Sequence, residues 1–349
     1  MSYFGEKFTN LLINLDVASL IGKIKQYQGR LEVYEKEFPC TLEKLQKSTQ
    51  LQHTKDFVAM YKNLKITNKR LKELITYDLS PKTMIEDEIS CYVDALSLIH
   101  NNYERLTIDP NTILEIHFQL FKYATSDSGT WRKQDILLEE HTQLNFSFYC
   151  YRPLTIKEIP EAVKNLCEEY NSLLNQKEID PLLLICNFVL NFICIFPFES
   201  GNGRMVRLLI SLLLLQSKHS LVKYISLDKI IKKYERDYYD ALYKSSANWH
   251  FQEHNVSFIL KCLLHIILEA YKELDVHITS YQLKGNKTYK IKEYILKQEL
   301  PFTKEAIRMV FSDVSPSTIN KAFACLQEEK LIKLISKGRN AVWIKQKYK

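Results

Sequence analysis

The chain has 349 residues, enough for two or three domains and for a sizeable core without disulfide staples. It is 46% hydrophobic and 26% charged, with only 8 Gly and 9 Pro, which excludes collagen-like and low-complexity classes and favours helices. The net charge of +7 is unevenly spread: residues 281–349 hold 15 Lys/Arg against 6 Asp/Glu, a net +9, leaving about −2 for the rest. A basic excess confined to the end of the chain is the footprint of a polyanion-binding domain. The 8 cysteines form no CxxC pair, so neither a zinc ribbon nor a thioredoxin motif is written here. The opening MSYFGEKFTN lacks the basic and apolar regions of a signal peptide. Together these features predict reduced thiols and a cytoplasmic location.

Apolar residues at mixed spacings of three and four predict helices over Ser19–Glu37, Thr41–Tyr61 and Lys69–Tyr77. Pro81 opens a helix through about Tyr103, and Glu86, Asp87 and Glu88 suit its N-terminus. Asp109-Pro110 starts the next, to about Tyr123. After the turn-rich TSDSGT, residues 131–146 are the one stretch before the C-terminus that reads as a β-hairpin. Helices follow over Pro160–Asn175, Pro181–Ile195, Gly201–Gln216, Ser226–Tyr243 and Val256–Leu274. The run 181–198 is nearly long enough to cross a membrane. Asn187 and Asn191 interrupt it, Pro197 ends it and no Lys/Arg cluster flanks it, so a helix buried on all sides is expected and no membrane partner. Residues 278–288 are polar and predict a linker. Beyond them come helices Tyr289–Leu300, Thr303–Phe311 and Thr318–Glu329, then strands Ile332–Ile335 and Ala341–Ile344, which is the plan of a winged helix.

The segment Phe196-Pro197-Phe198-Glu199-Ser200-Gly201-Asn202-Gly203-Arg204-Met205-Val206-Arg207 carries the chemistry. Two glycines flank an asparagine just before an apolar helix, where free N–H groups and the helix dipole make an anion site. Arg204 and Arg207, three apart, share a helix face and suit a polyphosphate.

This segment resembles the Fic (Fido) family signature, HxFx[DE]GNGRxxR, and the likeness extends over roughly residues 50–349. EISCYVDALSLIHNNY, DPNTILEIHFQLFKY, DPLLLICNFVL, LVKYISLDKII and YYDALYKSSANWH are similar to segments of a Fic subfamily with a winged helix behind its core. The resemblance implies a mostly α fold: a helical domain over 1–105, a Fic core with a small β-hairpin over 106–277, the linker 278–288 and a winged helix over 289–349. It implies an ATP-dependent protein adenylyltransferase, moving AMP to a protein hydroxyl. Gly201, Asn202 and Gly203 would cradle the phosphates of ATP, and Arg204 and Arg207 would hold the outer ones. The 131–138 hairpin would align a target protein by adding a strand. Tyr238 and Tyr239 fall where the family walls the adenine, although an aromatic pair on a helix also suits a core.

Three positions depart from the pattern. Phe196 stands where the family has its general base, histidine, and has no group to take a proton. Ser200 replaces the metal-binding acid, a poor substitute on Mg2+, and suits instead the N-cap of the next helix; Glu199 lies one residue early. Relatives of this layout carry an inhibitory [ST]xxxE[GN] motif. Here it falls on residues 58–63, with Val58 for the Ser and Lys62 for the Glu; a rival register over 82–87 would supply Glu86. The expectation is a degenerate Fic protein that keeps a nucleotide-phosphate site and regulates through nucleotide or DNA. An active transferase with altered residues is the alternative.

His117, His141, His250 and His254 are candidates for a replacement base, and the last two have a helical metal-binding spacing, although a polar loop accounts for them. No Ser-His-Asp arrangement is legible. Ser315, Ser317, Thr318, Asn320 and Lys321 open the expected recognition helix, and Lys337, Arg339 and Asn340 tip the wing, so DNA is the expected partner there. Winged helices also dock proteins. The sequence leaves a homo-oligomer open.

Overall fold

The structure is a computed structural model that describes residues 3–5, 8, 15–60, 66–76, 80–123, 127–136, 153–336, 338 and 341–346. Two compact units divide the chain, Met1–Leu274 and Asp275–Lys349.

The described residues of the first unit are helical or lie in turns and loops. In order it contains α1 (Leu15–Glu37), α2 (Pro39–Met60), α3 (Asn68–Thr76), α4 (Met84–Asn102), α5 (Pro110–Phe121), α6 (Ile159–Gln176), α7 (Pro181–Ile195), α8 (Asn202–Gln216), α9 (Leu227–Lys233), α10 (Glu235–Ser246) and the first part of α11 (Ser257–Leu296). Short 3-10 turns lie at Ser220–Lys223 and Trp249–Phe251. Local chemistry sets the starts. Thr83, not Pro81, caps α4 by accepting from the Glu86 N–H at 3.2 Å. Asp109 and Asp180 cap α5 and α7, with Pro110 and Pro181 behind them in the first turn. The stretch expected as one helix from Ser226 to Tyr243 is two, because Tyr234 leaves helical geometry between α9 and α10.

α7 and α8 form the centre, buried along nearly their whole length. That burial explains the apolar run over 181–195, and among the described residues no helix is long and apolar enough to cross a membrane. The two asparagines inside α7 are satisfied. Asn187 Nδ2 donates to the Tyr3 carbonyl at 2.8 Å, Asn191 Nδ2 donates to the Asn187 carbonyl at 2.9 Å, and Asn191 Oδ1 accepts from Trp249 Nε1 at 2.7 Å.

In the second unit, α11 continues through 278–288, where the sequence predicts a linker. The apolar pattern breaks there, but Gly285 alone costs a helix only about 1 kcal/mol and the stretch 278–288 holds no proline. Then come β1 (Phe302–Thr303), α12 (Lys304–Val310), α13 (Pro316–Glu328), β2 (Ile332–Ser336) and β3 (Val342–Lys345). The antiparallel sheet has the order β1-β3-β2, with Phe302 opposite Trp343 and Leu334 opposite Trp343 on the other side. β1 is too short to show a period in the sequence. Ile291, Ile295, Ile307, Phe323, Leu326 and Trp343 are among the residues of the core.

Candidate functional site

The turn between α7 and α8 is held from three sides. Phe196 ends α7 in a left-handed conformation (φ 51°), a costly one for a bulky residue, and its N–H donates to the Phe192 carbonyl at 3.1 Å. Buried Arg132 holds the backbone of Phe196 and Pro197. Its Nε donates to the Phe196 carbonyl at 3.0 Å, its backbone N–H to the Pro197 carbonyl at 2.9 Å, and its remaining guanidinium nitrogens to the carbonyls of Gln134 and Leu154. Phe198 is fully buried and stacks on His117, with centroids 3.8 Å apart and planes 2° from parallel.

Asn202 closes the turn from inside. Its Oδ1 accepts from the Phe198 N–H at 3.0 Å, and its Nδ2 donates to the Phe198 carbonyl at 2.7 Å. Gly201 is the N-cap of α8, with φ 82° and no side-chain cap bond. Any Cβ there would run into the Phe121 ring, so glycine is required twice over. Ser200 is therefore not the cap. It lies exposed with Glu199, because Asn202 already secures the turn. The first turn of α8 leaves the N–H groups of Asn202, Gly203 and Arg204 without acceptors inside the helix.

Both arginines reach acids of the same unit. Arg204 Nη2 pairs with Glu88 Oε1, and its guanidinium lies 5.6 Å and 5.4 Å from the ring centres of Phe57 and Phe121. Arg207 Nε lies 2.9 Å from Asp228 Oδ1, and Tyr92 donates its hydroxyl to Asp228 Oδ2 at 3.1 Å. Glu88 and Asp228 are absent from the expected site. Glu88 reads in the sequence as one of three acids at a helix start. Asp228 sits in YISLDKII, and an acid in such an apolar run is the available signal of a buried pair.

His117 carries no free base. Its Nδ1 accepts from the Gly129 N–H at 3.0 Å, which places the proton on Nε2, and Nε2 then donates to the Ser200 carbonyl at 3.3 Å. Burial pushes its pKa down to about 4. His141 lies outside the described residues. His250 sits in the 3-10 turn and His254 in the loop behind it, so they do not share a helix face.

The remaining expected residues fall elsewhere. Lys62 lies outside the described residues. Glu86, the rival inhibitory acid, is held by Arg70 at 2.9 and 2.8 Å and by the Lys82 N–H at 2.7 Å; Arg70 holds its pKa down to about 2. Tyr238 is buried and packs edge-on against half-buried Tyr239. Residues 131–136 form no strand, since Arg132 bonds the motif turn; the rest of the expected hairpin lies outside the described residues.

Residues 107–214 match the model of the Fic/DOC family. They form a Fic domain. The fold of the chain resembles three solved structures. For a Fic family protein from Desulfovibrio desulfuricans G20 the TM-score is 0.62 and the identity 16%, covering 97% of this chain and 98% of that one. For a Fic domain containing signaling protein from Bacteroides thetaiotaomicron VPI-5482 the TM-score is 0.58 and the identity 15%, covering 74% and 95%. For Fic-1 (residues 134–508) from C. elegans the TM-score is 0.57 and the identity 16%, covering 80% and 76%. At these identities the likeness is one of fold. No curated protein matches the sequence. The turn from Phe196 to Arg207 lies within the matched residues.

In the second unit, Ser315 caps α13 by accepting from the Thr318 N–H at 3.4 Å, and its hydroxyl lies 2.9 Å from those of Ser317 and Thr318. Asn320 accepts from Lys304 Nζ at 3.1 Å, and Lys321 is exposed. Lys337, Arg339 and Asn340 lie outside the described residues.

Proposed function

We propose that the Fic domain of this chain does not transfer AMP and that the protein acts as a regulator, through a retained nucleotide-phosphate site and a C-terminal unit that binds DNA as a winged helix. The observation that carries the first part is the state of the base. Phe196 stands at its position, and the nearby imidazole of His117 has both nitrogens committed. Glu88 and Asp228 are engaged with the two arginines. A positioned general base contributes about 10²–10⁴ in rate, and neither Phe196 nor His117 supplies it.

The family's Mg2+ does not fit the residues present. The position before Gly201 offers a hydroxyl where Mg2+ prefers carboxylates and phosphates, and no group of three metal-binding side chains occurs among the described residues. A phosphate site is supported by the open first turn of α8 and by Arg204, whose partner Glu88 is part-exposed and able to yield. Arg207 is the weaker candidate, because its pair with Asp228 is buried. The net +9 over residues 281–349 and the exposed start of α13 support the DNA reading.

The test is label transfer from ATP to protein, run beside calorimetric ATP titration. Wild type is expected to bind ATP, to lose binding in Arg204→Ala and to transfer no label. Phe196→His/Ser200→Asp is expected to transfer label. Transfer by wild type would overturn the proposal in favour of an active enzyme with altered residues.

A further inference from the structure

The first unit holds a cleft of 330 Å³ that belongs neither to the motif turn nor to the basic unit. α2 and α4 face each other across it through polar side chains, and the 3-10 turn at Ser220–Lys223 closes it. Gln50, His53, Ser97, His100, Asn101 and Lys223 line it, and among the described residues Leu96 is its one apolar lining residue. Glu43 and Lys47 pair with each other at 2.7 Å, both well exposed, so that acid is neutralised at the rim.

The lining is rich in hydrogen-bond donors. Lys223 Nζ donates to the Tyr103 hydroxyl at 3.2 Å and lies 4.6 Å from the centre of that ring, which fixes the ammonium but leaves two of its protons to spend. Among the described residues Lys223 forms no ion pair. His53 Nε2 donates to the Val222 carbonyl at 3.0 Å, so His53 is anchored. His100 packs edge-on against His53 at 5.8 Å, and its Nε2 is shut from solvent with no hydrogen-bond partner among the described residues.

We propose that this cleft is a second binding site, taking a small molecule that carries a phosphate-like oxyanion. A cation is disfavoured, because Glu43, the one lining carboxylate among the described residues, is spent on Lys47. An apolar guest would strand the amides and the ammonium without partners. The volume suits a ligand larger than inorganic phosphate and sits at the low end for small-molecule sites. Burial first, then the nearby His53 and Lys223, push His100 down to about 3, so its ring is neutral at pH 7, and Lys223 is the lining cation with no ion pair among the described residues.

The test uses the full chain with ¹³C-labelled histidine, titrated with inorganic phosphate at constant ionic strength. His100→Gln identifies the His100 signal. The expected result is a saturable shift of that signal, with half-saturation raised about tenfold or more in Lys223→Met and largely restored in Lys223→Arg. Arg204→Ala, which removes a cation outside the lining of the cleft, is expected to leave the half-saturation unchanged. A shift that never saturates, or one indifferent to Lys223→Met in a folded variant, would show a merely water-filled cleft and overturn the proposal.

Discussion

Arg207 Nε and Asp228 Oδ1 lie 2.9 Å apart, with side chains only 9% and 4% exposed. An arginine on the motif helix is thus neutralised by an acid of the same unit, which Tyr92 holds from its other oxygen. Such a pair gives little net stability against an apolar replacement, but removing one partner strands a buried charge. Asp228→Ala is expected to lower stability by about 3–5 kcal/mol in denaturant titration. Asp228→Leu/Arg207→Leu should recover most of that loss. A single mutant as stable as wild type would mean that the pair is solvated.

Gly201 sits at φ 82° against the Phe121 ring. Gly201→Ala combines left-handed strain of about 1–2 kcal/mol with a clash. Phe121→Leu should rescue part of the loss by removing the ring edge, although it has its own packing cost. Equal penalties with and without the ring would rule out the contact.

Asn202 spends both side-chain atoms on the backbone of Phe198. Asn202→Asp keeps the size, removes the donor and sets a carboxylate against a carbonyl. The expected cost is about 1–3 kcal/mol. Because Asn202 shapes the turn, ATP binding should fall alongside; calorimetry on the folded variant checks this.

Acid should weaken the first unit. Burial pushes His117 to about 4, and His100 and His219 to about 3, from an ordinary 6.5. The native state keeps them neutral, while the unfolded chain takes up protons below about pH 6.5. Their contribution is thus present above that pH and is lost as pH falls toward 4, by up to roughly 1.4 kcal/mol per pH unit and histidine. Thermal melts between pH 7 and 4.5 should show a falling midpoint, with a shallower slope in His219→Gln. A flat profile would contradict the burial of these rings.

Lys321 is exposed near the start of α13. If the second unit binds duplex DNA, Lys321→Glu should weaken binding across sequences and change the salt dependence by about one unit of slope, as for one lost phosphate contact. Anisotropy titrations at several salt concentrations measure both.

Much of the fold is legible in the sequence because its signals are local. Helix periodicity, proline and aspartate at helix starts, and glycines before α8 each act within a few residues. Where expectation and structure differ, a weak local signal meets a tertiary one. The polar stretch 278–288 lacks a proline and stays helical. Ser200 suits a cap by composition, but Asn202 secures the turn instead. The expected hairpin opens at Trp131, but Arg132 donates its backbone N–H and its Nε to the turn after α7.

The sequence by itself determined a helix-rich chain, an arginine-bearing turn between two apolar helices, the phenylalanine and serine in that turn, and the basic bias of the last unit. Only the tertiary structure decided what those groups touch. Tyr92 and Asp228 meet across 136 residues of chain, and His117 reaches Ser200 across 83. Spacing along one helix dictates which side chains share a face. Which acid stands opposite an arginine depends on how separate helices pack, and no local pattern encodes that.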